Sequence, residues 1–184
     1  MELLQDDDAD FTIGELSRRS GVSVGAIYGR FGNKEGVVHH LLVEACAIIE
    51  RDLSEALDPA RYADKDTEQL VIAAVEATTQ TVDRHANVLR VISWDSLRGA
   101  EIGATAAALN AVTTKLFTTL LLTRRDDYRH DDPVEAVRVA YHLALDPVTL
   151  RVLYGRGFSN VERVERQRLY DEIGRACAAY LLRP

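Results

Sequence analysis

The sequence predicts an all-α protein with a small N-terminal helix-turn-helix domain and a larger C-terminal helical bundle. Three observations carry that reading. Apolar residues recur at helical spacing along most of the chain, whereas sustained alternation and Asn-Gly or Asp-Gly hairpin turns are missing. Helix-capping signatures recur ahead of these periodic stretches. Near the N-terminus two short helical patterns are joined by a tight turn containing Gly21.

The first ten residues hold five carboxylates, Glu2, Asp6, Asp7, Asp8 and Asp10, with at most one turn of helix around Leu3 and Leu4. Thr12 and Glu15 then form a capping box that opens a helix to Arg19. Ser20-Gly21-Val22 breaks it, and Ser23 caps a second short helix to about Arg30. Asn33 caps a long third helix, Lys34 to about Leu57, ended by Asp58-Pro59. A polar linker over 59–65 follows. Further helices are expected from Asp66 to Arg84, Ala86 to Leu97 and Ala100 to Arg124, then a charged, solvated loop to Asp131. Asp132-Pro133 places a cap before a proline at the first helical position. That helix runs to Leu145, where Asp146-Pro147 kinks or restarts it, and Gly155 closes it. A capping box at Ser159–Glu162 opens the last helix, to about Leu182.

The 184 residues carry a net charge of −7, so a nucleic-acid contact has to come from a local patch. Residues 11–40 supply one: Arg18, Arg19, Arg30 and Lys34 against Glu15 and Glu35, net +2. Cys46 and Cys177 lie far apart in apolar helical stretches and read as reduced core residues. Secretory-signal features are missing, and no apolar run approaches the roughly 18 residues a membrane span needs. Asp127 and His130 have ligand-like spacing without a second cluster, so neither a metal nor a cofactor is expected. Nucleophile–base pairs, phosphate loops and metal constellations are missing too, which argues against an enzyme.

In the helix-turn-helix the second helix is the one that enters a DNA major groove. Its expected buried face is Val22, Ala26, Ile27 and Phe31 against Ile13 and Leu16; its open face is Ser23, Val24, Gly25, Tyr28 and Gly29. Tyr28 can bond a phosphate, and Lys34 stands at a helix N-terminus that favours anions. The run from Phe11 to Val37, with Thr12, Leu16, Gly21, Val22, Ser23, Ile27, Tyr28, Phe31, Lys34 and Glu35 in place, resembles the TetR family pattern. The resemblance implies a cytoplasmic homodimer that binds a near-palindromic double-stranded DNA operator and releases it when a small-molecule effector enters the C-terminal domain. It assigns Thr12, Tyr28 and Lys34 to the phosphates and Ser23, Val24, Gly25 and Gly29 to the bases. The chain departs from the pattern in its acidic N-terminal stretch in place of a full first helix, in Val24 where a basic residue is common, and in Gly29 where an aromatic or His is common. These departures predict salt-sensitive DNA affinity.

The domain division is placed at 1–45, with the motif at 12–31, and 46–184. Two apolar series, Val134-Val137-Tyr141-Leu145-Val148-Val152 and Leu169-Ile173-Ala176-Cys177-Tyr180, suit either a core or a four-helix dimer bundle. Candidates for the effector pocket are His85, Trp94, Thr113, Phe117, Tyr141 and His142, with Thr78, Thr81 and Thr114 as further polar groups. The competing expectation is a helical small-molecule binding protein whose DNA module is vestigial.

Overall fold

A computed structural model describes residues 12–96, 100–154 and 164–183. All regular structure among them is helical: α1 (Ile13–Ser20), α2 (Val24–Phe31), α3 (Lys34–Ala56), α4 (Thr67–Arg84), α5 (Ala86–Ser96), α6 (Ala100–Leu121), α7 (Pro133–Tyr154) and α8 (Arg166–Leu182), with 3-10 turns at Pro59–Tyr62 and Leu122–Asp127. The acidic N-terminal ten residues, Phe11, Gly99, Gly155 and the Ser159 capping box lie outside the described residues.

Caps set most helix starts. Asp66 accepts from Gln69 N while the Gln69 side chain accepts from Asp66 N, a reciprocal box on α4. Asp132 Oδ1 accepts from the amides of Val134 and Glu135 at 3.0 Å, with Pro133 opening α7. The last helix starts later than its sequence suggests. Glu165 caps it, accepting from Gln167 N at 3.0 Å and Arg168 N at 2.9 Å, bonds that hold its carboxyl below the usual range. Pro147 lies inside a continuous α7 rather than at a restart.

The main core gathers α3 to α8. Leu42, Val71, Val75, Phe117, Leu120, Leu121, Val137, Tyr170 and Leu181 are fully or nearly fully buried. Helix α4 is central, packed by α3, α6, α7 and α8. It crosses α8 closely: a Cβ on Gly174 would stand 3.3 Å from Ile72 Cα. The 59–65 linker is not simply polar, because Tyr62 is buried and its hydroxyl donates to Ala56 O at 2.8 Å. The loop after α6 is not fully solvated either. Tyr128 is buried and donates to Leu121 O at 2.7 Å, and Arg129 N donates to Leu181 O at 2.9 Å, tying the loop to the end of α8. Burial pushes the Tyr128 hydroxyl well above its ordinary pKa.

A second, small core consists of Ile13, Ile27 and Val37, flanked by Leu16, Phe31, Val38 and Leu41. Val38 and Leu41 also pack on the main core, so α3 belongs to both. The stretch Ile102–Asp127, with hydropathy 1.2, is by length and composition alone apolar enough to cross a membrane, contrary to the sequence expectation. Its leucines and alanines, with Ile102, Val112 and Phe117, raise the mean over the length of the helix although threonines interrupt them. Cys177 is buried and donates Sγ–H to Ala140 O at 3.6 Å; burial pushes its thiol up to about 11. Cys46 is half-buried, and both thiols are free.

Candidate nucleic-acid interface

Local chemistry builds the α1–α2 unit residue by residue. Thr12 N donates to Glu15 Oε2 at 2.9 Å, and Glu15 N donates to Thr12 Oγ1 at 3.1 Å, closing the capping box. The Thr12 amide and hydroxyl hold the Glu15 carboxyl below the usual carboxylate range. A depressed carboxyl contributes stability above its unfolded pKa and loses it as pH falls through the folded one. Amide protection in the first turn of α1, corrected for the intrinsic pH dependence of exchange, is therefore expected to fall on acidification through and below that range, and much less so in a Glu15→Gln variant. Gln can keep the box but carries no titrating carboxyl.

The chain turns at Gly21, whose φ of 71° is the left-handed conformation that ends α1 without steric cost. Ser23 then caps α2, its Oγ accepting from Ala26 N at 3.2 Å. Gly32 (φ 77°) closes α2, and Asn33 caps α3 by accepting from Gly36 N at 2.8 Å. At Gly36 the packing has no slack: an added Cβ would lie 2.0 Å from the carbonyl oxygen of Phe31.

On α2 only Ile27 is buried, with Phe31 half-buried. Val22 is 45% exposed and Ala26 is exposed, which corrects the expected buried face. Val22 sits in the link before the cap, not on the helix. Ala26 precedes Ile27 and so is turned about 100° off the buried line. The outward side carries Val24, Gly25, Tyr28 and Gly29, all exposed, with Val24 at 41% and Tyr28 at 47%. Lys34 is half-buried in the first turn of α3. The Arg30 guanidinium lies over the Phe31 ring, 5.3 Å from its centroid, and Phe31 in turn meets His40.

The pocket candidates do not converge on one point. Phe117 and Tyr141 meet edge to face at 5.6 Å inside the α6–α7 contact, and the Tyr141 hydroxyl donates to Asn110 Oδ1 at 2.9 Å. Thr113 is buried on the same helix and donates to Leu109 O at 2.9 Å. Thr78, Thr81 and Thr114 likewise donate to carbonyls four residues back. His85 caps α4 instead, its Nε2 2.9 Å from Asp52 Oδ2 on α3. That contact is the main reason the Asp52 carboxyl is held low. Trp94 is 45% exposed and meets Tyr154 edge-on, and His142 is exposed beside Asp146. Of the pair with ligand-like spacing, Asp127 accepts from Thr67 and His130 meets Tyr180 O at 2.6 Å. An open groove of about 550 Å³ between α3 and α4, lined by Asp52, Arg61, Tyr62, Glu76, Thr81 and Arg84, has no counterpart in the sequence reading. It depends on which helices pair, and no local signal announces that.

Comparison with known proteins agrees with this geometry. Residues 1–41 match the model of the bacterial regulatory proteins of the tetR family. No curated protein sequence matches the chain. Two solved structures share the fold over nearly the whole length. One is the TetR family transcriptional regulator PfmR from Thermus thermophilus, 18% identical over 94% of this chain and 88% of that one, with a TM-score of 0.58. The other, from Mesorhizobium loti and assigned to the TetR family of transcriptional regulators, is 13% identical over 97% and 88%, with a TM-score of 0.72. The N-terminal segment thus matches the tetR family of bacterial regulatory proteins, and the chain as a whole shares the fold of solved TetR family transcriptional regulators.

Proposed function

We infer that this chain is a cytoplasmic repressor that binds a palindromic operator as a homodimer and leaves it when a small molecule enters the C-terminal body. The observation that carries the reading is α2: a capped helix, open along Val24, Gly25, Tyr28 and Gly29, braced from behind by Ile13, Ile27 and Val37. Thr12, Tyr28 and Lys34 take phosphates in this reading, and Ser23, Val24, Gly25 and Gly29 face the bases. Residues 1–45 serve as the DNA-binding domain and 46–184 as the ligand-binding and dimerisation domain. Pairing is assigned to α7 and α8, which sets two recognition helices roughly 34–36 Å apart.

The effector reading rests on helix α6. It carries Thr113 and Phe117 toward Tyr141, and near its start Thr105 Oγ1 lies 3.4 Å from His39 Nε2 on α3. A ligand that favours one placement of α6 over another would move α3, and with it the spacing of the two α2 helices. His85, Trp94 and His142 lie apart from that cluster and would belong to it only if the body rearranges.

Gel retardation of the full chain on a selected operator, repeated across salt concentrations, tests the reading. Affinity should fall steeply with salt, and Lys34→Ala should lessen the slope by about one contact per protomer. Tyr28→Phe should weaken binding on all sequences alike, as the loss of a phosphate contact does. Absence of retardation at low salt, with small-molecule binding intact, would support the vestigial-module reading instead.

A further inference from the structure

We propose that α2 selects its operator through a thymine 5-methyl group packed against Val24, and not through side-chain hydrogen bonds to base edges. The inference rests on the regulator reading above and specifies which base that surface takes.

The helix offers little else to a base. Ser23 Oγ spends one lone pair on Ala26 N as the cap, which anchors this short hydroxyl to the first turn of its own helix. Gly25 and Gly29 have no side chain, and Ala26 has only a methyl group. Arg30 lies over the Phe31 ring at the far end of the helix. Tyr28, the remaining polar side chain, is the phosphate partner in the reading above. Val24 stands exposed on the first turn, the part of a recognition helix that reaches base edges. Among the four bases only thymine presents a methyl group in the major groove; cytosine presents an N4 donor there, which an isopropyl group would strip of water without replacing its partner.

The glycines fit the same picture. A Cβ at Gly25 or Gly29 would meet no protein atom within 4 Å, and neither residue has positive φ. Helix stability favours alanine at such positions, so the fold itself does not call for glycine. Bare backbone beside Val24 instead lets the helix sit deep enough for a short isopropyl group to reach a methyl.

The test uses the full-length protein and duplexes selected from a random library. Each thymine of the selected half-site is replaced in turn by deoxyuridine, which removes only the methyl group. One symmetric pair of thymines should weaken binding about fourfold per half-site when demethylated, the worth of one buried methyl. Val24→Ser and Val24→Ala, both at an exposed position, should bind the thymine and uracil duplexes with a ratio near one. A selected site without a methyl-sensitive thymine, or a sensitivity that persists in both variants, overturns the inference alone. A chain that enriches no sequence overturns the regulator reading, and this inference falls with it.

Discussion

Leu143→Glu is expected to leave each protomer folded, to abolish pairing, and to lower operator affinity by about a hundredfold or more. The side chain is 47% exposed on α7, so the substitution removes no core packing. Leu143 is one of an outward apolar line with Val139, Leu150 and Tyr154. Beside it on α8, Leu169, Ile173, Ala176 and Tyr180 recur at four-three-four spacing; Ala176 is exposed and the other three are only partly covered. In the proposed homodimer two such lines would form the face of a four-helix bundle across a two-fold axis, where each contact is made twice. A carboxylate there would be stripped of water and set near its own symmetry mate. Losing the second recognition helix removes the gain that linking two binding modules provides, about 10² to 10⁴ in affinity. Ala176→Glu, on the facing helix, should act alike. Sedimentation and retardation on one preparation check both effects. A dimeric Leu143→Glu protein would place the interface elsewhere.

Gly36→Ala is expected to disrupt the α1–α3 unit while sparing the main core. The new Cβ would lie 2.0 Å from Phe31 O and 3.1 Å from Phe31 C, against backbone that cannot swing aside as a flexible side chain can. Overpacking costs typically about 1–3 kcal/mol, and a contact this short against backbone belongs at the upper end of that range. The small core, with three buried residues among those described, has little reserve against such a loss. Amide exchange should accelerate throughout α1 and α2 and stay unchanged in α4 and α8, and DNA binding should be lost. Gly25→Ala and Gly29→Ala make the contrast. Each should stabilise α2 by about 0.5–1 kcal/mol, because the added methyl meets nothing and helix propensity rises. If Gly36→Ala exchanged like the unmodified chain, the close α2–α3 approach would be wrong.

The caps were legible because each is a bond within three residues of its own position. Thr12 with Glu15, Ser23, Asn33 and Asp132 all act where they were expected. The start of α8 at Arg166 was not legible, since Glu165 does the work of a cap with a longer side chain than the usual Ser, Thr, Asp or Asn. The face of α7 was not legible either. Val137, Tyr141, Leu145, Val148 and Val152, one of the two series suited to a dimer, are buried within the protomer. Helical spacing alone could not separate that line from Val139, Leu143 and Leu150, because the helix is apolar on both sides.

By itself, the sequence determined the helical class, the order of the helices, most of their caps and the DNA-binding motif, because these follow from contacts a few residues long and from a pattern confined to one segment. Only the tertiary structure decided which side of α7 is core, that Val22 and Ala26 stay exposed, that His85 of α4 meets Asp52 of α3, and that α3 is shared by two cores. Those choices depend on which distant helix occupies a given face. Apolar burial favours any complementary surface, so periodicity can show that a stripe will be covered without showing by what.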